Sequence, residues 1–412
     1  MLSLIVIAWR NLMRFGRRTL LTAGLIAIGV LAVLLFVALS GSFKNLMIGQ
    51  FTDSVMGDLE IHHKGYVASL DNLPLNLNLT PAQWQRARAV LAADKTVAAY
   101  APVVKFGGLF SNFTESTNVR VNGIDPAREA AVLPLLPGRV APADAAGLLK
   151  PGQILVPQLL ANGMKVKVGD TVVVVTTNRD GSVNGRTFTV RGIVSDLSGP
   201  GGRDAYIDID DARHILRLAT PEVSEVLVRL KSLETLHATV AALRSALDGG
   251  PGKPAFEVHG WDDLSPFAHI ARLIDLLTLF VKVILVSIAL ISIMNVMIMA
   301  VYERIREIGT IAAIGTPPGR ILGLFLIEGL LLGVIGAAVG IALSLGAVAV
   351  LHVHKVSFAF GMGNGTVILS PSLRVSDIVT VGVVVIVVAV LASLQPAWKA
   401  ARMDPISALR HI

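Results

Sequence analysis

Tyr302–Thr316 reads YERIREIGTIAAIGT, a charged, helix-forming stretch between two long apolar runs. Leu273–Val301 before it carries only Asp275 and Lys282, both near its start, and Ile321–Val350 after it carries only Glu328. Each run is long enough to cross the roughly 30 Å hydrocarbon core of a bilayer. Further out, Thr19–Ser42 and Ile378–Pro396 hold no charge at all. The chain therefore reads as four membrane helices with a large insert between the first and the second. A short charged loop between two spans offers little to a pore or a catalytic pocket. It suits a docking surface for a cytoplasmic protein, which places the energy source outside this chain.

At 412 residues, 53% hydrophobic and with a mean hydropathy of +0.67, the chain is too apolar for an ordinary soluble protein and too polar for a pure membrane bundle. The net charge of +7 would suit a nucleic-acid partner, but its distribution does not. Residues 42–270 hold 22 Lys+Arg against 23 Asp+Glu, and the remainder holds 14 against 6. Arg10, Arg14, Arg17, Arg18, Arg304, Arg306, Arg320, Lys399, Arg402 and Arg410 all fall on one side of a four-helix topology. The excess of positive charge on cytoplasmic loops then puts both termini and the 302–320 loop inside, and the insert outside. The basic balance reports topology, and no nucleic-acid partner is implied. The first apolar run exceeds a signal-peptide core and is read as an uncleaved anchor. The absence of cysteine leaves the outward domain to rely on its core rather than on disulfides.

These boundaries give the organisation. Residues 1–18 form an interfacial helix or a cytosolic extension of the first span, 19–42 the first span, 43–271 the outward α/β domain, and 272–301 a stalk with the second span. A coupling helix at 302–320, a third span at 321–350, an outer loop at 351–375, a fourth span at 376–396 and a tail at 397–412 follow. In the insert, Thr80-Pro81 starts a helix running to about Ala92, a capping hydroxyl followed by Pro in the first turn. Strands are expected at 97–104, 118–121, 171–177, 186–194, 205–209, 223–230 and 255–259, and helices at 154–162, 210–218 and 232–247. Asn178–Gly185 reads as a hairpin loop. Gly/Pro clusters at 134–152 and 198–203 suggest a second subdomain at about 140–220. In the third span, Gly329, Gly333, Gly336 and Gly340 form a small-residue stripe suited to close helix packing. Glu328 beside it is an intramembrane acid, either functional or held by a structural hydrogen bond to Asn295 or a backbone carbonyl. Asp275 and Lys282 read as interfacial anchors or as part of a gate.

Motifs for chemistry on this chain are missing. There is no GxxxxGK[ST] to cradle nucleotide phosphates, and no HExxH, GxSxG or CxxC. Asp180, Ser182 and Asn184 imitate half a calcium loop, but Arg191 stands where a bidentate Glu is needed. His62-His63 and His352/His354 read as structural or surface histidines without nearby carboxylates. No metal site is assigned.

Three stretches resemble the permease subunits of ABC transporters of the MacB/LolC/FtsX type. Glu303–Gly309 (ERIREIG) with Ala313-Ile314-Gly315 is similar to the family's cytoplasmic coupling segment. Pro396–Arg410 (PAWKAARMDPISALR) is similar to its C-terminal ending, and Gly163–Val194 to its outward domain. Where many members carry a basic residue in the coupling segment, this chain has Ala312. It shows no fused ATPase and is closest to the stand-alone LolC/LolE-like layout. The resemblance implies an α-helical membrane protein with four transmembrane helices and a large mixed α/β periplasmic domain of two subdomains inserted between helices 1 and 2, in a bacterial inner membrane. It implies a second permease copy or paralogue and two copies of a cytoplasmic ABC ATPase. ATP and Mg would sit on that ATPase, with no cofactor on this chain. It implies extraction of lipoproteins or other amphipathic envelope substrates, with FtsX-like mechanotransmission to a periplasmic partner or MacB-like efflux of antibiotics or peptides as alternatives, and a periplasmic adaptor or lipoprotein carrier as a further partner. Docking is expected at Glu303, Arg304, Arg306, Glu307, Ile308, Gly309, Ala313 and Gly315. A lipid-compatible substrate cleft is expected between Leu34, Phe36 and Phe43 on the first span and Leu279, Phe280 and Ile284 on the stalk helix.

Overall fold

The computed structural model describes residues 2–142, 147–195, 203–248, 255–265, 267–354, 357–359, 366–368, 370–404 and 408. Most of the expected Gly/Pro cluster at 198–203, much of the outer loop at 351–375 and most of the terminal motif beyond Asp404 lie outside them. The described helices are α1 (Leu2–Arg14), α2 (Gly16–Phe51), α3 (Pro81–Ala93), α4 (Pro126–Val132), α5 (Gln158–Gly163) and α6 (Ile209–Ile215). Then come α7 (Leu236–Asp248), α8 (Trp261–Leu264), α9 (Phe267–Glu303), α10 (Ile305–Ala313), α11 (Pro318–His354) and α12 (Val375–Ala401). The strands are β1 (Leu59–His63), β2 (Val97–Ser111), β3 (Ser116–Ile124), β4 (Val140–Ala141), β5 (Gln153–Pro157) and β6 (Thr171–Thr177). They continue with β7 (Val183–Val194), β8 (Asp204–Asp208), β9 (Glu225–Leu230), β10 (Phe256–Gly260), β11 (Ser357–Ala359) and β12 (Thr366–Ile368). Two compact units result: a helical one from residues 1–45, 271–358 and 366–412, and an α/β one dominated by 46–270.

In the helical unit, α2, α9, α11 and α12 are each long and apolar enough to cross a membrane. A break at Phe15 separates α1 from α2. The glycine stripe of α11 serves two neighbours in succession. A Cβ added at Gly333 would lie 2.7 Å from Ala389 Cβ, and one at Gly329 would run into Ser393, both on α12. One turn and more further on, Cβ atoms at Gly336 and Gly340 would lie 2.6 Å from Ile26 and Val30 of α2. Between helices in lipid, where apolar burial brings little net gain, such backbone proximity is the main source of attraction. At the other side, α2 and α9 are joined by Ser40 and Thr278, whose hydroxyls are 2.7 Å apart, and by Lys44 with Asp275 at 2.6 Å. Asp275 is therefore one half of an inter-helix ion pair rather than a lone anchor.

The α/β unit is built on one ten-stranded sheet in the order β10-β1-β9-β2-β3-β8-β5-β7-β4, with β6 pairing β2 and β7. The segment expected as a second subdomain extends this same sheet: β8 pairs with β3, and β6 with β2. Thr80 caps α3 as expected, and the box is closed by Gln83 Oε1 accepting from Thr80 N at 2.8 Å. Residues 154–162 are not one helix. Ile154–Pro157 is the buried strand β5, and α5 begins only after Pro157, whose ring suits a helix start. The half calcium loop spends itself locally, since Asp180 Oδ1 accepts from Ser182 N at 3.0 Å and from its Oγ at 2.7 Å.

One face of the sheet carries buried charge. His62 meets two carboxylates, contrary to the expectation: its Nε2 is 3.2 Å from Glu60 and 3.5 Å from Glu225, its direct cross-strand partner. Lys105 Nζ lies 2.5 Å from Glu225 on the other side. Burial works against the imidazolium, but the two carboxylates outweigh it and raise His62 to about 9. Lys105 and His62 together offset Glu225 and Glu60, so the group is charge-balanced without a further ion.

Gly340→Leu is expected to destabilise the helical unit by about 1–3 kcal/mol through overpacking against Val30 and the Ala27 carbonyl. Gly346→Leu, where nothing lies within 4 Å, should leave it unchanged. Thermal unfolding in micelles distinguishes the two, and equal melting of both variants would contradict the seam.

Candidate coupling site

The segment between α9 and α11 is shaped by a break and a stop. At Arg304 the backbone leaves the helix (φ −109°, ψ 16°), and α10 starts at Ile305 in a new direction. It ends at Gly315, whose φ of +93° is open to glycine at little cost. Gly315 N donates to Ala312 O and Thr316 N to Ile311 O, the paired bonds of a glycine-terminated helix. Pro317 and Pro318 then prevent continuation and start α11.

The break turns Arg304 inward. Only 5% of its side chain is exposed, its Nη1 donates to Glu328 Oε1 at 3.0 Å, and its guanidinium stands 4.5 Å over the Phe15 ring. Glu328, 1% exposed, also accepts from Asn11 Nδ2 at 2.8 Å. One carboxylate thus ties α1, the α9–α10 break and α11 together. Around this buried centre, Arg18 pairs with Glu303 at 2.9 Å and Arg14 with Glu307 at 3.5 Å. The outer pairs are partly exposed and hold orientation more than they add stability.

This arrangement revises the expected docking residues. Arg304, Ile308 and Gly309 are buried, so they position the helix and do not form its outer surface. Glu303 and Glu307 are exposed but already carry arginine partners from α1 and α2. Arg306, Ala313 and Gly315 do face outward. The largest outward apolar groups are Ile314, 80% exposed, and Ile311. Nearby in the chain order of the same unit, Tyr302 accepts from Lys399 at 3.1 Å, and Arg402 stacks on exposed Trp398 at 4.3 Å. The partners of Glu328 expected from the sequence are corrected: Asn295 is not one of them. The polar partner is Asn11 of α1, which lies in the segment expected as an interfacial helix.

The expected substrate cleft is revised too. Leu34 is fully buried in the core of the helical unit, so it does not line an open wall. Phe36 is half-buried, and Phe43, Leu279, Phe280 and Ile284 lie on exposed helix surfaces. The Ser40–Thr278 contact draws α2 and α9 together close to these positions.

Arg304→Ala is expected to cost about 3–5 kcal/mol, because it leaves the Glu328 carboxylate buried without its counter-ion. Arg304→Met combined with Glu328→Leu should recover most of that loss, as read by denaturant unfolding in micelles. A double variant no more stable than Arg304→Ala would contradict the pairing.

Comparison with known proteins places these features. The family model described as the MacB-like periplasmic core domain matches residues 19–246, and the FtsX-like permease C-terminal model matches residues 279–405. A lipoprotein-releasing system transmembrane protein LolC from Neisseria meningitidis is 24% identical over 412 aligned residues, covering 95% of this chain and 94% of that protein. LolC from Xylella fastidiosa is 24% identical, covering 80% of this chain and 81% of that protein. The macrolide export ATP-binding/permease protein MacB from Nitrobacter winogradskyi is 32% identical over 191 residues, which is 46% of this chain; the chain spans 27% of that protein's length.

Proposed function

The chain belongs to the MacB/LolC/FtsX family of permeases, and from that premise we propose that it is the non-catalytic permease subunit of an ATP-driven ABC transporter in a bacterial inner membrane. Both termini and α10 lie in the cytoplasm in this reading, and the α/β unit lies in the periplasm. A separate ATPase, in two copies and carrying ATP and Mg, docks on α10. The observation that carries this is the mounting of α10: a short helix with an exposed apolar tip at Ile311 and Ile314, anchored from beneath by Arg304, Glu328 and Asn11. A partner pressing on the tip moves α1, the end of α9 and the start of α11 together, because a single buried carboxylate joins them. Force applied there is passed into three helices rather than absorbed by a loose loop.

A second copy or a paralogue completes the assembly. Residues 273, 277, 280, 284, 288, 291, 295, 299 and 302 of α9 follow one another at intervals of three and four and are all exposed. Asn295 lies among them, and its side chain makes no hydrogen bond among the described residues. A polar amide on a membrane helix surface is stabilised by a partner helix that can hydrogen-bond to it.

The cargo in this reading is a lipoprotein or another amphipathic envelope molecule. Support comes from the LolC relatives, which align with this chain along most of both lengths. The experiment is mass spectrometry of what co-purifies with the chain and its ATPase when hydrolysis is blocked by mutating the ATPase's catalytic Glu. An acylated protein or lipid retained with the complex is the expected result. A complex holding only an unacylated periplasmic protein would overturn the cargo reading and favour mechanotransmission.

A further inference from the structure

The α/β unit contains a cavity of about 350 Å³ on one face of its sheet. The registers show how the face is furnished. Glu60 stands opposite Leu227, Val103 opposite Glu225, Lys105 opposite Asn122, and Arg120 and Asn122 opposite Asp204 and Tyr206. Partners directly across a ladder share a face, and so do residues two apart on a strand. Five adjacent strands, β1, β9, β2, β3 and β8, therefore direct these side chains into a single chamber. An inward sheet face would ordinarily be apolar; here the floor holds Glu60, Lys105, Arg120, Asn122, Asp204 and Glu225. The apolar matter is supplied by the walls, among them Phe51, Val55, Met56, Leu70, Leu264 and Phe267. Phe51 and Phe267 stack at 3.8 Å between ring centres.

Most of the charge is already matched. Arg120 forms a two-point pair with Asp204, and Lys105 and His62 meet Glu225 and Glu60. What is left over is of one kind. Glu129, contributed by α4, lines the cavity, is 1% exposed, and its Oε2 accepts no hydrogen bond among the described residues. Asn122 Oδ1 is likewise buried and unpartnered. Both are acceptors. Burial, reinforced by the Glu225 carboxylate and only partly opposed by Lys105, pushes Glu129 up to about 8, so the acid holds its proton near neutrality and gives it up when a cation is brought beside it. A buried acceptor without a donor costs free energy that a bound donor can return. Cavities that are mainly apolar with a few convergent polar groups are the usual form of small-molecule sites.

We propose that this chamber is a binding site for a small amphiphilic amine, its ammonium held by Glu129 and the Asn122 carbonyl and its apolar body against Met56, Val55 and Leu227. The site lies wholly within the α/β unit and is separate from the docking of an ATPase on α10. It gives the outward domain a small-molecule ligand of its own, whatever larger cargo the assembly moves. The proposal stands or falls independently of that cargo.

The test uses the full chain in lipid nanodiscs and three probes of one shape: 4-phenylbutylamine, 4-phenyl-1-butanol and 4-phenylbutyrate. Calorimetric titration, with empty nanodiscs subtracted, should show saturable 1:1 binding of the amine, at least about tenfold tighter than the alcohol, with the carboxylate weakest. Glu129→Gln should bring the amine down to the affinity of the alcohol and leave the alcohol unchanged. Met56→Trp, which fills the chamber, should abolish saturable binding of all three and keeps the test decisive should the Glu129 variant not fold. Equal affinities for the three probes in the native chain, no saturable binding, or undiminished amine binding in Met56→Trp would each overturn the proposal.

Discussion

The buried pair of Arg304 and Glu328 is the constraint around which the helical unit is arranged. A carboxylate this enclosed is costly to desolvate, and it persists because a guanidinium and an amide meet it at 3.0 and 2.8 Å. To reach Glu328, Arg304 has to leave the helix, and that departure separates α9 from α10 and gives the latter its own direction. To meet it from the other side, α1 has to pack against α11, which the chain permits by breaking at Phe15. The Phe15 ring then lies beneath the guanidinium and adds a cation–π contact to the same charge. Two local irregularities thus serve one electrostatic contact.

The glycine seam does for the interior of the unit what this pair does for its end. Gly329 and Gly333 admit α12, and Gly336 and Gly340 admit α2, so α11 is gripped on two sides. A helix held at its start by charge and along its length by close packing has little freedom to slide. It can still move as a body. That is the mechanical property needed of an element that passes a push from one end of a subunit to the rest.

The spans were legible because a bilayer tolerates only long uncharged runs, and the four stretches from Thr19, Leu273, Ile321 and Ile378 are of that kind. The Thr80 cap was legible for a similarly local reason, a hydroxyl followed by Pro81 with Gln83 two residues on. Other parts depend on partners distant in sequence. Strand β1 escaped notice because Leu59–His63 places Glu60 and His62 at buried positions, which disguises its alternation. The helix read across 154–162 was misjudged because a buried strand and a buried helix turn look alike in an apolar run as short as Ile154–Val156. Helix α4 was missed although Asp125-Pro126 is a sound start, with Asp125 accepting from Ala127 N and Arg128 N. The coupling segment itself was identified from its residues, but which of them face outward was not. That was decided by Arg304 turning inward to a glutamate 24 positions later.

The central claim is that α10 meets its cytoplasmic partner with its Ile311–Ile314 tip while Arg304 stays beneath. Photo-crosslinking tests it most directly, with a photoreactive amino acid placed in turn at Ile314 and at Ile308 in the chain assembled with its ATPase. The account predicts a strong crosslink to the ATPase from position 314 and none from position 308, which is buried against the unit's own core. Crosslinks from 308 with silence at 314 would mean that α10 presents the opposite face, and would contradict the mounting described above.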